Sequence, residues 1–115
     1  IEAIHRNLDA SGVIATVLAG EAADGLSLAS PPDRVFHGGG IADDALFRAL
    51  WAALMPGGPY VANAVTLGGE AALMARHSSL GGSLTRIALS HAAPVGRLTA
   101  MRPAMAVLQW RAIKP

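Results

Sequence analysis

Two polar residues, Asn63 and Thr66, occur within and just after an apolar run at residues 60–65, where they could contact a ligand. A Pro-Gly-Gly turn at residues 56–58 precedes the run. Proline and glycine end the helix before the turn, and the run has the near-continuous apolar character of a strand covered on both faces. Open α/β sheets bind ligands at the carboxyl ends of their strands. We therefore predict a ligand site at Asn63 and Thr66.

Three consecutive glycines, Gly38, Gly39 and Gly40, follow a short predicted strand at residues 34–36. Their missing side chains would let the backbone approach a ligand closely. The alternative is that they only form a tight exit from the strand. Both interpretations stay open at the level of sequence.

Two arginines, Arg97 and Arg102, flank a predicted loop rich in proline, glycine and arginine at residues 92–103. Guanidinium groups bind carboxylates through paired hydrogen bonds, so these side chains could hold an acidic ligand. The alternative is that they are only solvated. The histidines have no spacing typical of metal ligands, and we predict no metal site; they are His5, His37, His77 and His91.

The elements that position these residues alternate between helix and strand. Alternation early in the chain implies a parallel sheet with crossover helices, and two adjacent final strands imply a hairpin-like end. Asp43 and Asp44 are predicted to cap the central helix, and His37 to be packed rather than catalytic. The predicted helices cover residues 1–12, 43–54 and 69–77; the predicted strands cover residues 13–19, 34–36, 60–65, 83–91 and 104–112.

Composition favours one small α/β domain. The chain has 115 residues, 52% of them hydrophobic, and a formal net charge of +1. No run of lysine or arginine exceeds one residue, and the apolar runs are too short to span a bilayer, so we predict neither a nucleic-acid nor a membrane partner. There is no cysteine. The first residues read as a helix already under way rather than a signal peptide, so we expect a cytoplasmic protein.

Six short motifs together resemble one family. They are Phe-His-Gly-Gly-Gly at 36–40, Pro-Gly-Gly at 56–58, Ala-Asn-Ala-Val-Thr-Leu at 62–67, Gly-Gly-Ser-Leu at 81–84, Pro-Val-Gly at 94–96 and Gln-Trp at 109–110. They occur in this order and at similar spacing in the precorrin-6Y C5,15-methyltransferases (decarboxylating) of cobalamin biosynthesis. The resemblance is to the carboxyl-terminal domain of these enzymes and covers essentially the whole chain.

The resemblance implies an α/β fold of the class I, Rossmann-like methyltransferases that use S-adenosylmethionine. Residues 1–115 would be the carboxyl-terminal portion of a single such domain with its first βαβ unit missing, because the chain has neither a Gly-x-Gly-x-x-Gly loop nor the acidic residue that ends the second strand. The implied reaction converts precorrin-6B to precorrin-8 by methylating a carbon and decarboxylating an acetate side chain.

The resemblance also implies roles for individual residues. S-adenosylmethionine would be held by Glu21, Ala22, Gly38 and Gly39. The tetrapyrrole would be held by Gly40, Asn63, Thr66, Arg97 and Arg102. No residue is identified as a catalytic acid or base. Glu21 could equally be a solvated carboxylate, and Asn63 and Thr66 could only satisfy backbone groups.

One departure from the family pattern concerns an acidic residue that usually comes directly after the Val-Thr-Leu run. Here Gly68 and Gly69 intervene, and Glu70 comes two positions late. The role of that acidic residue is therefore expected either to have moved to Glu70 or to be absent.

The family resemblance implies a homo-oligomer such as a tetramer. Trp51 and Trp110 are predicted to be core or interface residues, and Val107 and Trp110 could mediate assembly. Two other functions stay open: a class I methyltransferase acting on another small molecule, and a catalytically incompetent truncated module.

Overall fold

The computed structural model of the chain describes residues 2–12 and 30–115. The helices of these ranges are α1 (Glu2–Ser11), α2 (Asp44–Ala53) and α3 (Leu67–Leu80). The strands are β1 (Val35–His37), β2 (Pro59–Ala64), β3 (Ser83–Ile87), β4 (Ser90–Val95), β5 (Leu98–Pro103) and β6 (Val107–Ile113). The predicted strand at residues 13–19 and the predicted site residues Glu21 and Ala22 lie outside the described residues.

Four strands form one mixed sheet in the order β1-β2-β6-β3. β1 is parallel to β2, whereas β6 is antiparallel to both β2 and β3. β3 therefore runs in the same direction as β1 and β2, and these three strands end at the same edge. We call it the carboxyl edge. Residues that follow three separate strands meet there, which is the arrangement expected of a ligand site in this class of sheet.

Helices α2 and α3 cover one face of the sheet, where Phe47 and Leu73 join the buried cluster. Side chains alternate between the two faces of a strand, so every second residue of β2 and β6 faces this layer. The buried apolar residues are Ile41, Phe47, Leu54, Tyr60, Ala62, Ala64, Leu73, Leu108, Trp110 and Ala112. On the opposite face of β2, Val61 and Asn63 are only half-buried. Within the described residues one face of β2 is buried and the other is half-buried, so the prediction of a strand covered on both faces stays a prediction.

Helix α2 begins and ends as predicted. The carboxylate Oδ1 of Asp43 accepts a hydrogen bond from the backbone N–H of Leu46 at 3.0 Å, which satisfies a free donor of the first turn. After the helix, Gly57 has a φ of 82°, in the left-handed region that favours glycine. A Cβ on Gly58 would lie 2.5 Å from the carbonyl oxygen of Asp33. Glycine is therefore required at position 57 by the backbone φ angle and at position 58 by the lack of space for a side chain.

Helix α3 is longer than predicted at both ends. Thr66 caps it, because its Oγ1 accepts a hydrogen bond from the backbone N–H of Gly69 at 3.1 Å. The cap lets the helix begin at Leu67, before the two glycines, rather than at the second of them, Gly69. It ends at Leu80 because Gly81 follows with a φ of 76°.

The predicted strand at residues 83–91 begins where predicted but ends too late, and the predicted loop at residues 92–103 is wrong. β3 ends at Ile87, and the chain then forms a separate two-stranded antiparallel sheet, the β4–β5 hairpin. The loop prediction relied on Pro94, Gly96 and Pro103. A two-stranded ribbon accommodates proline on its unpaired side, and Gly96 has the φ of 62° that a two-residue hairpin turn needs. The final strand is confirmed with its bounds moved to Val107–Ile113.

Candidate functional site

A cavity of about 310 Å³ opens at the carboxyl edge between the ends of β1 and β2. One wall is the loop after β1, and the other is formed by the end of β2 and the start of α3. The lining residues are Gly38, Gly39, Gly40, Ile41, Ala42, Asn63, Ala64, Val65, Thr66 and Gly69. Five of the predicted site residues thus meet in one cavity: Gly38, Gly39, Gly40, Asn63 and Thr66.

The first wall is the glycine loop, defined as Gly38, Gly39 and Gly40. Gly40 has a φ of 67°, and its carbonyl oxygen accepts a hydrogen bond from the backbone N–H of Asp43 at 3.0 Å. A Cβ added to Gly39 would meet no heavy atom within 4 Å. Gly40 therefore fits the interpretation of a tight exit from the strand. Gly39 leaves the open space that a closely approaching ligand would need.

The second wall carries two polar side chains, each already engaged on one side. Asn63 accepts a hydrogen bond at Oδ1 from Nε2 of Gln109, its cross-strand neighbour, at 3.0 Å. Thr66 accepts at Oγ1 from the backbone of α3. Each oxygen already accepts one hydrogen bond, and the Asn63 amide N–H groups and the Thr66 hydroxyl hydrogen are available as donors. This wall can donate hydrogen bonds to carbonyl or carboxylate oxygens.

Arg97 and Arg102 do not line the cavity. Arg97 lies in the turn of the β4–β5 hairpin, and Arg102 lies within β5, directly opposite His91 of β4. The hairpin connects the end of β3 to the start of β6, so its base is at the carboxyl edge. The structure thus places both arginines on a projection from the edge that carries the cavity.

A model of a protein family described as the precorrin methyltransferase domain matches residues 1–114. The chain belongs to this family. A precorrin-6Y C(5,15)-methyltransferase [decarboxylating] from Sinorhizobium is 46% identical over 93% of this chain. A protein of the same description from Mycobacterium tuberculosis is 41% identical over 83% of the chain. The chain spans only 26% and 24% of these two relatives.

The fold agrees with the family. The crystal structure of the C-terminal domain of precorrin-6Y C5,15-methyltransferase from Rhodobacter capsulatus matches with a TM-score of 0.89 and 37% identity. The match covers 98% of this chain and 62% of that domain. The predicted family and the predicted α/β, Rossmann-like methyltransferase fold are therefore confirmed. In the described residues no helix is long and apolar enough to cross a membrane, and no three acidic or histidine side chains cluster as metal ligands.

Two features of the site were missed in the sequence interpretation. Gln109 was noted only as part of a motif, yet it orients Asn63 across the sheet. His91 was assigned no role, yet it pairs with Arg102 in register. A charge count by position would have directed attention to the hairpin, since residues 71–115 hold six of the nine Lys and Arg residues and none of the eight Asp and Glu residues.

The late acidic residue, Glu70, forms an ion pair rather than a wall of the cavity. Both of its carboxylate oxygens accept hydrogen bonds from Arg86 of β3, each at 3.0 Å. These hydrogen bonds hold the pKa of Glu70 below its usual value. Arg86 is thereby occupied, so within the described residues the hairpin supplies the exposed cations that remain near the carboxyl edge.

His37, the residue before the glycine loop, is buried and bonded within the protein. Its Nδ1 lies 2.7 Å from the phenol oxygen of Tyr60. Burial lowers the pKa of His37 and raises the pKa of Tyr60 to about 12. Both groups are therefore neutral near pH 7, and the prediction of a packed rather than catalytic histidine agrees with this environment.

The lowered pKa of His37 predicts a loss of stability in mild acid. Below its ordinary pKa of 6.5, the unfolded state binds a proton that the folded state resists. We expect the free energy of unfolding, measured by urea denaturation, to fall from pH 7 to pH 5. Glu70 titrates below this window. The matched variant His37→Gln, which does not titrate, is expected to show a flatter profile; an equally steep profile would contradict the assignment.

Proposed function

We propose that this chain is the carboxyl-terminal portion of a methyltransferase domain acting in cobalamin biosynthesis. The protein would methylate a carbon with S-adenosylmethionine and assist loss of carbon dioxide from an acetate side chain, as one part of the conversion of precorrin-6B to precorrin-8. The cavity at the carboxyl edge carries the proposal, because in a chain of this family it joins the glycine loop to the polar end of β2. The relatives from Sinorhizobium and Mycobacterium tuberculosis are named decarboxylating precorrin-6Y C(5,15)-methyltransferases.

The chemistry requires alignment more than acid–base groups. S-adenosylmethionine supplies a methyl group on a sulfonium, and displacement by a carbon nucleophile forms a C–C bond while the S–CH₃ bond breaks. Positioning the two reactants in line and excluding water are then the main tasks of the protein. In decarboxylation the electron pair of the broken C–C bond passes into the conjugated macrocycle.

Gly38 and Gly39 would contact the cofactor on this proposal. The space beside Gly39, where a Cβ would meet no heavy atom within 4 Å, allows a ligand to rest against the backbone. Glu21 and Ala22 stay predicted contacts of its adenosine part. The open backbone and the uncharged donors of the cavity fit a bulky, polar cofactor.

Gly40, Asn63 and Thr66 would contact the tetrapyrrole. The free N–H and O–H donors of Asn63 and Thr66 suit the carbonyl and carboxylate oxygens of its side arms. Arg97 and Arg102, which lie on the β4–β5 hairpin, would bind further carboxylates of the tetrapyrrole. Residues 71–115, which include the hairpin, contain no Asp or Glu side chain that would neutralise them.

We further propose a cytoplasmic homo-oligomer, such as a tetramer, with no nucleic-acid or membrane partner. The residues expected to mediate assembly need correction, because Trp110 is fully buried in the core and Val107 is half-buried. The β4–β5 hairpin and its flanks are better suited, since exposed apolar side chains concentrate there: Leu89, Val95, Leu98, Met101 and Met105. Light scattering on the protein at its natural length measures the assembly.

Mass spectrometry of the product tests the reaction. The protein at its natural length is incubated with S-adenosylmethionine and either a precorrin or a panel of unrelated methyl acceptors. A precorrin product that gains one methyl group and loses carbon dioxide supports the proposal. Methylation of an unrelated acceptor alone favours a different methyltransferase, and no methylation of any acceptor favours a catalytically incompetent module.

Replacing Arg102 by glutamine tests the cationic part of the site. A charge-assisted hydrogen bond to a carboxylate is worth enough to raise the KM for the precorrin about tenfold when it is removed. The KM for S-adenosylmethionine is expected to stay unchanged. Arg48→Gln is the matched control, because Arg48 is an exposed arginine of α2 outside the cavity. Equal KM values for the two variants would contradict a substrate role for Arg102.

A further inference from the structure

The third turn of α3 carries an unusual residue, the buried Arg76. Its side chain is only 5% exposed. Nη2 donates a 2.6 Å hydrogen bond to the carbonyl oxygen of Ile41, and the guanidinium carbon lies 4.2 Å from the centre of the Phe47 ring. Nε and Nη1 have no hydrogen-bond partner in the described part of the chain. Arg76 therefore makes one strong hydrogen bond, while two of its other nitrogen donors are buried without a partner.

Packing alone does not account for this arginine. A charged group removed from water is costly unless its hydrogen bonds are made, and an apolar side chain of similar volume often serves stability as well or better. The nearest carboxylate does little to offset the cost, because Asp44 lies 3.5 Å away and is 74% exposed. The specific contact of Arg76 is the one to Ile41.

Ile41 is the first residue after the glycine loop. It is buried, lines the cavity and lies next to Gly40 in sequence. The loop's other end is held by the hydrogen bond between His37 and Tyr60. Between these two anchors are three residues without side chains, whose backbone can adopt a wider range of conformations than that of other residues. Ile41 and His37 are thus the points at which the fold can fix the position of this wall.

We propose that Arg76 is a positioning residue that fixes the glycine loop against the cavity through the carbonyl oxygen of Ile41. This inference rests on the proposed function, since it assigns the loop to ligand binding. Arg76 does not line the cavity itself, so it acts through the loop rather than on a ligand. Loss of its donors would leave this end of the loop held only by the hydrogen bond from the N–H of Asp43 to Gly40 and by the burial of the Ile41 side chain.

The first experiment measures backbone hydrogen exchange across residues 38–43 in the protein at its natural length, without ligand. Within this segment the N–H of Asp43, which donates to the carbonyl oxygen of Gly40, is the main reporter. Arg76→Met keeps the length of the side chain and removes its donors, and is expected to speed exchange in the loop about tenfold, as the loss of a charge-assisted hydrogen bond implies. Arg76→Lys keeps a donor and is expected to restore part of the protection. Asp44→Asn, which leaves the Ile41 contact intact, is the matched control.

The second experiment measures S-adenosylmethionine binding by calorimetry below the melting transition of each variant. An increase of about tenfold in Kd for Arg76→Met, with partial rescue in Arg76→Lys, supports the positioning role. Unchanged loop exchange, or faster exchange with unchanged Kd, overturns it. If the Met variant does not fold, the Lys variant decides by the same two readouts. An unmodified protein that binds no S-adenosylmethionine contradicts the proposed function instead, and is distinguished by its normal loop protection.

Discussion

Replacing Gly39 by leucine is expected to reduce methyl transfer about 100-fold while leaving the melting temperature nearly unchanged. The backbone of Gly39 is not in the left-handed region, and a Cβ there meets no heavy atom within 4 Å, so a side chain fits without strain. That side chain would occupy the cavity. Displacing a bound reactant by about 1 Å from its reactive geometry is enough for an effect of this size.

The control for this substitution is Gly68→Leu. Gly68 also has open space around a Cβ, but it is exposed on α3 and does not line the cavity. Its substitution is expected to leave the rate of methyl transfer unchanged. The comparison separates the two interpretations of the glycine loop: if the loop is only a tight exit from β1, Gly39→Leu will also leave the rate unchanged. Steady-state rates at saturating S-adenosylmethionine and precorrin are measured alongside thermal melting.

The best-predicted part of the fold is the unit of α2, the Pro-Gly-Gly turn and β2. Its signals are local, since an apolar face at helical spacing, a capping aspartate and a turn with required glycines each act within a few residues. Asp43 caps the helix and Gly58 has no room for a Cβ, as those signals indicate. The site residues predicted from motifs next to this unit, which are the glycine loop, Asn63 and Thr66, do line one cavity in the structure.

The β4–β5 hairpin could not be predicted from local signals, because the pairing of its two strands, and not their composition, distinguishes it from a loop. Pro94 and Pro103 are typical of loops, and only their partners across the hairpin reveal that they occupy tolerated positions of a ribbon. Arg102 acquires its neighbour His91 by that pairing alone. Arg97 and Arg102 therefore stay candidate binding residues, but the secondary structure predicted around them, a loop, was wrong.

Contacts between distant residues are the other part that sequence did not provide. Arg76 reads as an ordinary solvated helix residue, and its hydrogen bond to Ile41 crosses 35 positions of the chain. Glu70 was recognised only as an acidic residue out of place, whereas the structure pairs it with Arg86. Periodicity predicts which face of a helix is buried, but it cannot predict that a charged side chain on that face will bind one particular carbonyl group.

Replacing Trp110 by alanine is expected to lower the free energy of unfolding by about 3–5 kcal/mol, the usual cost of deleting a buried large aromatic side chain. Trp110 is fully buried and packs against Phe47 and Tyr60 with ring centroids 5.9 and 5.7 Å away. Its Nε1 also donates a 2.9 Å hydrogen bond to the carbonyl oxygen of Gly81. Urea denaturation, with the transition followed by circular dichroism, measures the loss.

Trp110→Phe distinguishes the two roles first considered for this residue. Phenylalanine keeps most of the buried ring and loses the hydrogen bond to Gly81, so the expected loss is only about 1–2 kcal/mol. Because Trp110 contacts the core and not the surface, neither variant should change the subunit number of protein that remains folded. A folded Trp110→Phe variant with fewer subunits in light scattering would contradict the placement of Trp110 in the core. If both variants assemble normally and Trp110→Ala loses more stability than Trp110→Phe, the subunit contacts must be made by exposed residues, such as those of the β4–β5 hairpin.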